Sequence, residues 1–253
     1  IDLNRAGVPL LEVVSEPVIR SADEAYQYLT EMRKLVRYLE ICDGNMEEGS
    51  MSCDANISVR IYGEKEFGRR VEVKNMNSIR NVHRAIEHES KRLIDIIEAG
   101  GIIDQETRSF DATNGTTFSL RTKEAANDYR YFPEPDLSPI FVTEEYIAKV
   151  KASMPALPNE LYKKYITSLK LSEYDADVLT GTKEVALFFE AIIKHTTNYK
   201  SASNWVMGSV KSYTNERAIH INDFPISAKR IAELINLIDT GKISNTIATQ
   251  QLF

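Results

Sequence analysis

At 253 residues the chain is long enough for one large domain or two ordinary ones. It is 43% hydrophobic and 27% charged, a globular composition that excludes disorder along its whole length. No apolar run approaches the ~18 residues needed to cross a bilayer, and the opening residues do not read as a leader. Charge is uneven. Residues 1–150 hold 19 Lys+Arg against 27 Asp+Glu, and residues 151–253 hold 12 against 10. The overall net charge of −6 argues against a general nucleic-acid coat, the acidic first half suits sites that hold Mg²⁺, and the second half leaves room for a local basic surface.

In chain order, Val8 to Pro17 reads as a strand closed by proline. Ser21-Ala-Asp-Glu24 has the form of a capping box, and Ala25, Tyr28, Leu29, Met32, Leu35, Val36 and Leu39 follow at helical spacing, which predicts an amphipathic helix over 22–40. Residues 51–60 alternate. Cys53, Ala55, Ile57 and Val59 face one way, and Asp54, Asn56, Ser58 and Arg60 the other. Arg70 to Lys74 repeats the pattern with Val71 and Val73 inward, so two strands joined through 62–68 suggest an antiparallel pair. Ser78 caps a second long helix that runs to Ala99 and stops at Gly100-Gly101. A hairpin is expected over 107–121 around Asn114-Gly115, an ordered loop over Asp128–Asp136, and a short strand at Ile140–Val142.

Met154-Pro-Ala-Leu-Pro158 marks a boundary, after which the pattern is helical throughout. Thr182, Ser227 and Ser244 stand at N-cap positions before apolar stretches at helical spacing. The expected architecture is an α+β domain over 1–153 with an antiparallel sheet, followed by an all-α domain over 154–253. Because the chain starts at Ile1 rather than Met and stops at Phe253 within a helical pattern, it reads as a piece of a longer protein.

The common catalytic signatures are missing. Gly44 to Ser50 imitates the glycine spacing of a P-loop but lacks its lysine and sets Glu47 and Glu48 where phosphates would sit. Cys42 and Cys53 match neither a disulfide framework nor a zinc pattern, and read as thiols in a reducing cytosol. His83 and His88 are five apart on a helix and do not share a face as a metal pair would. What remains is carboxylates on polar strand faces. Glu12 interrupts an apolar run, and Asp54, Asn56, Glu72 and Lys74 share a face. Carboxylates so grouped repel unless cations separate them, and Mg²⁺ commonly bridges one or two of them to phosphates. Lys74, Arg60 and Arg130 are then placed to neutralise phosphate oxygens. An ordinary half-solvated antiparallel sheet also shows this alternation, Glu47 and Glu48 also read as a solvated turn, and Arg130-Tyr131 also reads as a packed loop. In the second half, basic residues from Lys163 to Arg230 interleave with Tyr162, Tyr165, Tyr199, Trp205 and Tyr213. That pattern suits either RNA contact or ordinary helix faces over a Tyr-rich core.

Four long segments carry a resemblance: Asp2 to Pro17, Met46 to Arg60, Glu72 to Ser78, and Asp128 to Asp136. In this order they closely resemble the B-subunit family of glutamine-dependent aspartyl/glutamyl-tRNA amidotransferases. The resemblance covers essentially the whole chain and is weakest after residue 160. It implies a catalytic cradle domain similar to the glutamine synthetase fold, without the upstream part that carries further metal-binding His and Glu residues, then a helical tRNA-binding domain truncated before its tail. It further implies an ATP- and Mg²⁺-dependent ligase of the cytoplasm that phosphorylates the side-chain carboxylate of glutamate on tRNA(Gln) or aspartate on tRNA(Asn). Ammonia released by a partner amidase, the A subunit, then forms the amide, and the assembly is held together by a small C subunit. Carried onto this sequence, Glu12, Glu72 and Asp54 are the expected Mg²⁺ ligands, with Lys74 and Arg60 on phosphates. Glu48, Ser50, Asn56 and Arg130 are expected to bind ATP or substrate. Ser52 stands where the family pattern commonly has Arg. A non-catalytic tRNA-binding scaffold of the same complex is the rival reading, and a stand-alone amide ligase for a small carboxylate is a third.

Overall fold

The computed structural model describes residues 8–122 and 138–253. By internal contacts the chain divides into two compact units. Within the described residues, one unit holds 8–30 and 46–122, and the other holds 31–45 and 138–253. The first helix, α1 (Ala22–Tyr38), begins in one unit and ends in the other.

The first unit is built on a four-stranded sheet of β1 (Ala55–Ile57), β2 (Val71–Lys74), β3 (Glu106–Asp111) and β4 (Thr116–Thr122), in that spatial order. β1 pairs antiparallel with β2, placing Asn56 opposite Glu72, and β3 pairs antiparallel with β4. Between them β2 and β3 run parallel, with Glu72 opposite Thr107 and Lys74 opposite Ser109. The sheet is therefore mixed, not wholly antiparallel. The reason is the connection: α2 (Ile79–Glu98) intervenes between β2 and β3, and such a helical crossover returns the chain in the same direction.

α2 starts where Ser78, in extended backbone, accepts a hydrogen bond from the amide of Asn81, and it ends before Gly100, whose φ of +76° suits glycine. Its stripe of Ile79, Val82, Ala85 and Leu93 is buried with Ala55, Ile57, Val71, Val73 and Phe110, so one face of the sheet is the core of this unit. The β3–β4 hairpin turns at Gly115, with φ +70°, and Asp111 accepts amide hydrogen bonds from Thr113 and Asn114.

One member of the α2 stripe is charged. Glu89 is fully buried, and its carboxylate accepts from Arg92 at 2.5 and 3.0 Å and from the Thr117 hydroxyl at 2.7 Å. Arg108 lies 3.6 Å from Glu89 and donates to Glu106 at 2.6 Å, and Arg92 reaches Glu106 at 3.3 Å. The two carboxylates and two guanidiniums close a ring. Burial alone would push the Glu106 carboxyl up. Hydrogen bonds from Ser119 and Arg108, with the charges of Arg108 and Arg92, hold it below its usual 4.5. A carboxyl depressed in the folded state stabilises fully above its ordinary value, and that contribution is lost as pH falls through the folded value.

Two expected strands do not form. Val8 to Pro17 is irregular, with Leu10, Leu11, Val13 and Val14 exposed, and Ile140–Val142 is likewise exposed and irregular. A lone extended segment leaves its backbone donors and acceptors to water, and among the described residues no neighbouring strand pairs with either.

The second unit is helical throughout its described residues, from α3 (Glu144–Ser153) through α4 (Pro158–Thr167), α5 (Glu173–Leu179), α6 (Lys183–Ile193) and α7 (Tyr199–Trp205). A π-helical turn at Val206–Val210 carries α7 into α8 (Lys211–Glu216), and α9 (Ala228–Asp239) precedes the last helical stretch from Asn245. Thr182, Ser227 and Ser244 each accept an amide hydrogen bond at a helix start, as their positions predict. The core holds Tyr165, Phe189, Ile192, Trp205, Ile231 and Ile235. Tyr38, from the end of α1, donates to the carbonyl of Thr180 at 2.6 Å. No helix among the described residues is long and apolar enough to cross a membrane.

Removing one partner of the buried ring tests how much the first unit depends on it. Glu89→Ala leaves Arg108 and Arg92 short of a counter-charge, and the expected loss is about 3 kcal/mol, read as a fall in the urea midpoint. A midpoint equal to that of the wild type would show that the ring contributes nothing.

Candidate functional site

With Ala55, Ile57, Val71 and Val73 turned into the core, the two-residue period of a strand sends Asp54, Asn56, Glu72 and Lys74 to the opposite face. Register then sets the spacing. Asn56, Glu72 and Thr107 form one row across β1, β2 and β3, and Lys74 and Ser109 belong to the next. Lys74 is the centre of this face. Its ammonium bonds the Asp54 carboxylate and lies 3.4 Å from Glu72 Oε1. The other oxygen, Glu72 Oε2, accepts from the Thr107 hydroxyl at 2.9 Å.

Exposure is graded across the three. The Glu72 side chain is 16% exposed, Lys74 33% and Asp54 46%, so the cluster opens to solvent on the β1 side. The hydrogen bond from Lys74 to Asp54 is the main reason the lysine is held above its ordinary 10.5. Burial opposes this, and the Asp54 and Glu72 charges add to it. The site therefore holds Lys74 as an ammonium beside Asp54 and Glu72. Just beyond, Asn75 adopts φ +63° and donates its amide to Ser109 at 2.8 Å, which turns the chain from β2 toward α2. A non-glycine residue in this left-handed region is uncommon, and asparagine tolerates it best.

The other expected site residues fall in different places. Glu12 lies on the exposed irregular segment, and among the described residues no ion pair joins it to Asp54, Glu72 or Lys74. Glu48 and Ser50 are exposed in the turn before β1, where Gly49 takes φ +76°. Asn56 is exposed on β1 beside Glu72. Arg60 belongs to the following loop, where it donates to the Lys65 carbonyl at 2.5 Å and lies over the Phe67 ring. Arg130 and the loop around it lie outside the described residues, as does the start of the Asp2–Pro17 segment.

As a cation site the cluster offers two carboxylates. Among the described residues no group of three or more His, Cys, Asp or Glu could hold a metal ion. Two suffice for Mg²⁺ that is bound mainly through phosphate oxygens and water, provided Lys74 moves off the line between them. Asp54 and Glu72 fit that smaller role.

Thr107 is the residue that pattern reading missed. It is 1% exposed, and only the parallel β2–β3 register brings it to Glu72. Nothing local to 107–121 signals this. Glu89 could have been found, because it occupies a position of the apolar α2 stripe. In the helical unit, Tyr165 and Trp205 are core residues, and Tyr162, Tyr199 and Tyr213 pack against that core. Those rings serve packing, so unstacked bases would have to be met elsewhere. Lys164 pairs with Glu190 at 2.6 Å and Lys200 with Asp175 at 2.5 Å. Lys163, Lys211, Lys229 and Arg230 are exposed.

Cys53, next to Asp54 in the chain, turns to the other side of the sheet, where it packs against the core. Burial, with a smaller effect of the Asp54 charge, pushes its thiol up to about 11 from 9.0. Alkylation of Cys53 at pH 8 in the folded protein should run on the order of 100-fold slower than in urea, because the thiolate is the reactive form. Mass spectrometry of the labelled peptide reads this directly; equal rates would show that the residue is not enclosed.

Known proteins match the chain along almost its whole length. Residues 1–148 match the family model described as the GatB/GatE catalytic domain, and residues 187–253 match the one described as the GatB domain. The B subunit of the aspartyl/glutamyl-tRNA(Asn/Gln) amidotransferase from Chlorobium limicola is 51% identical over 250 residues, covering 99% of this chain and 53% of the relative. The proteins of that name from Persephonella marina and Staphylococcus epidermidis are 49% and 48% identical, again covering 99% and 98% of this chain. The chain spans about half the length of the curated relatives it matches. Matched over more than half its length by the first model and at about half identity by these relatives, the chain belongs to the GatB/GatE family of tRNA-dependent amidotransferase B subunits.

Proposed function

We propose that this chain forms the kinase and amide-forming part of a B subunit that uses ATP to convert glutamate on tRNA(Gln), aspartate on tRNA(Asn), or both, into the corresponding amide. The observation that carries the reading is the Asp54–Lys74–Glu72 cluster on the open face of a sheet that belongs to this family. The names of the relatives supply the substrate class.

The chemistry explains why such a cluster is needed. A carboxylate is a poor acyl donor because oxide is a poor leaving group. Its oxygen attacks the γ-phosphorus of ATP, the bond to the bridging oxygen breaks, and ADP departs to leave an acyl phosphate. Ammonia then adds to the carbonyl carbon, inorganic phosphate leaves, and a proton is lost to give the amide. No nucleophilic side chain is required; positive charge on the moving phosphoryl group and its positioning are. Mg²⁺, when bound, supplies charge neutralisation on the ATP phosphates. Lys74 supplies a further positive charge that can turn from Asp54 to a phosphate oxygen, whose negative charge then takes the place of the Asp54 carboxylate beside the ammonium.

Within this proposal Asp54 and Glu72 hold the cation, and Glu12 is assigned to it on the resemblance alone. Arg60 and Arg130 serve phosphates, and Glu48, Ser50 and Asn56 serve ATP or the aminoacyl group. Residues 1–153 belong to the cradle domain, similar to the glutamine synthetase fold, and 154–253 to the tRNA-binding domain. The amidase A subunit and small C subunit are the partners. The cytoplasm, where two unpaired cysteines stay reduced, is the compartment.

Glu72→Ala in the complete subunit, assembled with its amidase, should lower ATP-dependent amidation by at least ~100-fold and leave assembly intact. Turnover at the wild-type rate rejects the assignment and favours a non-catalytic scaffold. tRNA affinity should fall with salt and depend on residues 155–253, because phosphate contacts release counterions. An unaltered affinity and salt slope after deletion of that segment assigns tRNA binding to another part of the protein.

A further inference from the structure

We propose that Thr107 is a positioning residue for Glu72, and that the bond between them divides the work of the two Glu72 oxygens. The inference rests on the reading of the Asp54–Lys74–Glu72 face as the phosphoryl-transfer site.

The geometry is specific. Glu72 and Thr107 stand opposite each other in the parallel β2–β3 ladder, so their side chains rise from the same face. Thr107 Oγ1 donates to Glu72 Oε2 at 2.9 Å, while Glu72 Oε1 lies 3.4 Å from Lys74. One oxygen is thus tied to the sheet and the other faces the Lys74 ammonium. Thr107 is 1% exposed, so its hydroxyl is shielded from water that would compete for it. A glutamate has three side-chain torsions, and leaving them free would spread Oε1 over several positions. The hydroxyl selects one of them.

The base under Thr107 is also held. The ladder between β3 and β4 shifts register between Thr107 and Arg108, a local bulge of the kind that re-aims a side chain. Arg108 is fixed on the other side of the sheet by Glu106 at 2.6 Å and by the Thr117 carbonyl and hydroxyl, each at 2.9 Å. The buried charge ring pins the bulge from behind, and Thr107 presents its hydroxyl in front.

The test uses the complete subunit, assembled with its amidase, in four variants: Thr107→Val, Thr107→Ala, Thr107→Ser and Glu72→Ala. Equilibrium binding of Mg·ATP is measured by calorimetry, alongside kcat and KM for amidation. Thr107→Val keeps the shape and removes the donor, and it should weaken Mg·ATP binding and raise its KM by ~10-fold. Thr107→Ala should do the same, and carries the comparison if the valine variant fails to assemble. Thr107→Ser retains the hydroxyl and should bind within about twofold of the wild type. If Val and Ala variants bind Mg·ATP like the wild type while Glu72→Ala abolishes amidation, Thr107 has no positioning role and the proposed function stands. A serine variant as impaired as the valine one assigns Thr107 to packing and overturns the inference. Wild-type behaviour of Glu72→Ala removes the functional reading, and this inference with it.

Discussion

Burial of one face of a small sheet sets the position of everything else in the first unit. Val71 and Val73 are completely buried against α2, together with Ala55, Ile57 and Phe110. A shift of one residue in β2 would carry Glu72 and Lys74 into that apolar contact and both valines into water. The desolvation of a carboxylate and an ammonium there would cost several kcal/mol each. The register is therefore strongly specified, and the polar face follows from it. Asp54, Glu72 and Lys74 meet because their neighbours in the chain must be buried, and the ladder brings Thr107 to the same place.

Much of this is legible from the residues. The alternation at Cys53–Val59 and Val71–Lys74 predicts both strands and the face each residue occupies, since period two follows from backbone geometry alone. The caps at Ser78, Thr182, Ser227 and Ser244 are local signals with a local cause, and the turn at Asn114-Gly115 needs only a residue that tolerates positive φ. The parallel joining of β2 to β3 is not local. Thirty-five residues separate Glu72 from Thr107, and no pattern within either strand states which edge of β2 the hairpin will take. The same limit explains Val8 to Pro17. Its apolar run has the composition of a strand, but strand formation depends on a neighbour, and Leu10 and Val14 remain exposed.

The two units also differ in how they treat aromatic residues. In the helical unit Tyr165 packs edge-on against Phe189 with centroids 5.0 Å apart, and Phe224 packs against Phe188, Tyr213 and Phe253. Arg217 lies 3.8 Å over the Tyr213 ring. These contacts use the π faces that an RNA base would need. On the proposed function, exposed lysines and arginines such as Lys163, Lys211, Lys229 and Arg230 would supply phosphate contacts on this unit, and contact of that kind positions a nucleic acid without reading its sequence.

Carboxylates and cationic side chains form both the buried ring behind the sheet, from Glu and Arg, and the open cluster in front, from Asp, Glu and Lys, and comparing the two separates structure from chemistry. In the ring each carboxylate faces two guanidiniums, Glu89 is fully buried, and arginine stays charged at any accessible pH. Nothing in it can change partner without stranding a buried charge, so it stabilises and does not react. In front, one lysine lies between two carboxylates, on a stem with several rotatable bonds and with a third of its side chain in solvent. On the proposed function, an arriving phosphate would compete with Asp54 for that ammonium at little desolvation cost, because Asp54 is nearly half exposed. The open cluster can exchange partners and the closed ring cannot, and the phosphoryl transfer proposed for this face would need the first kind mounted on the second.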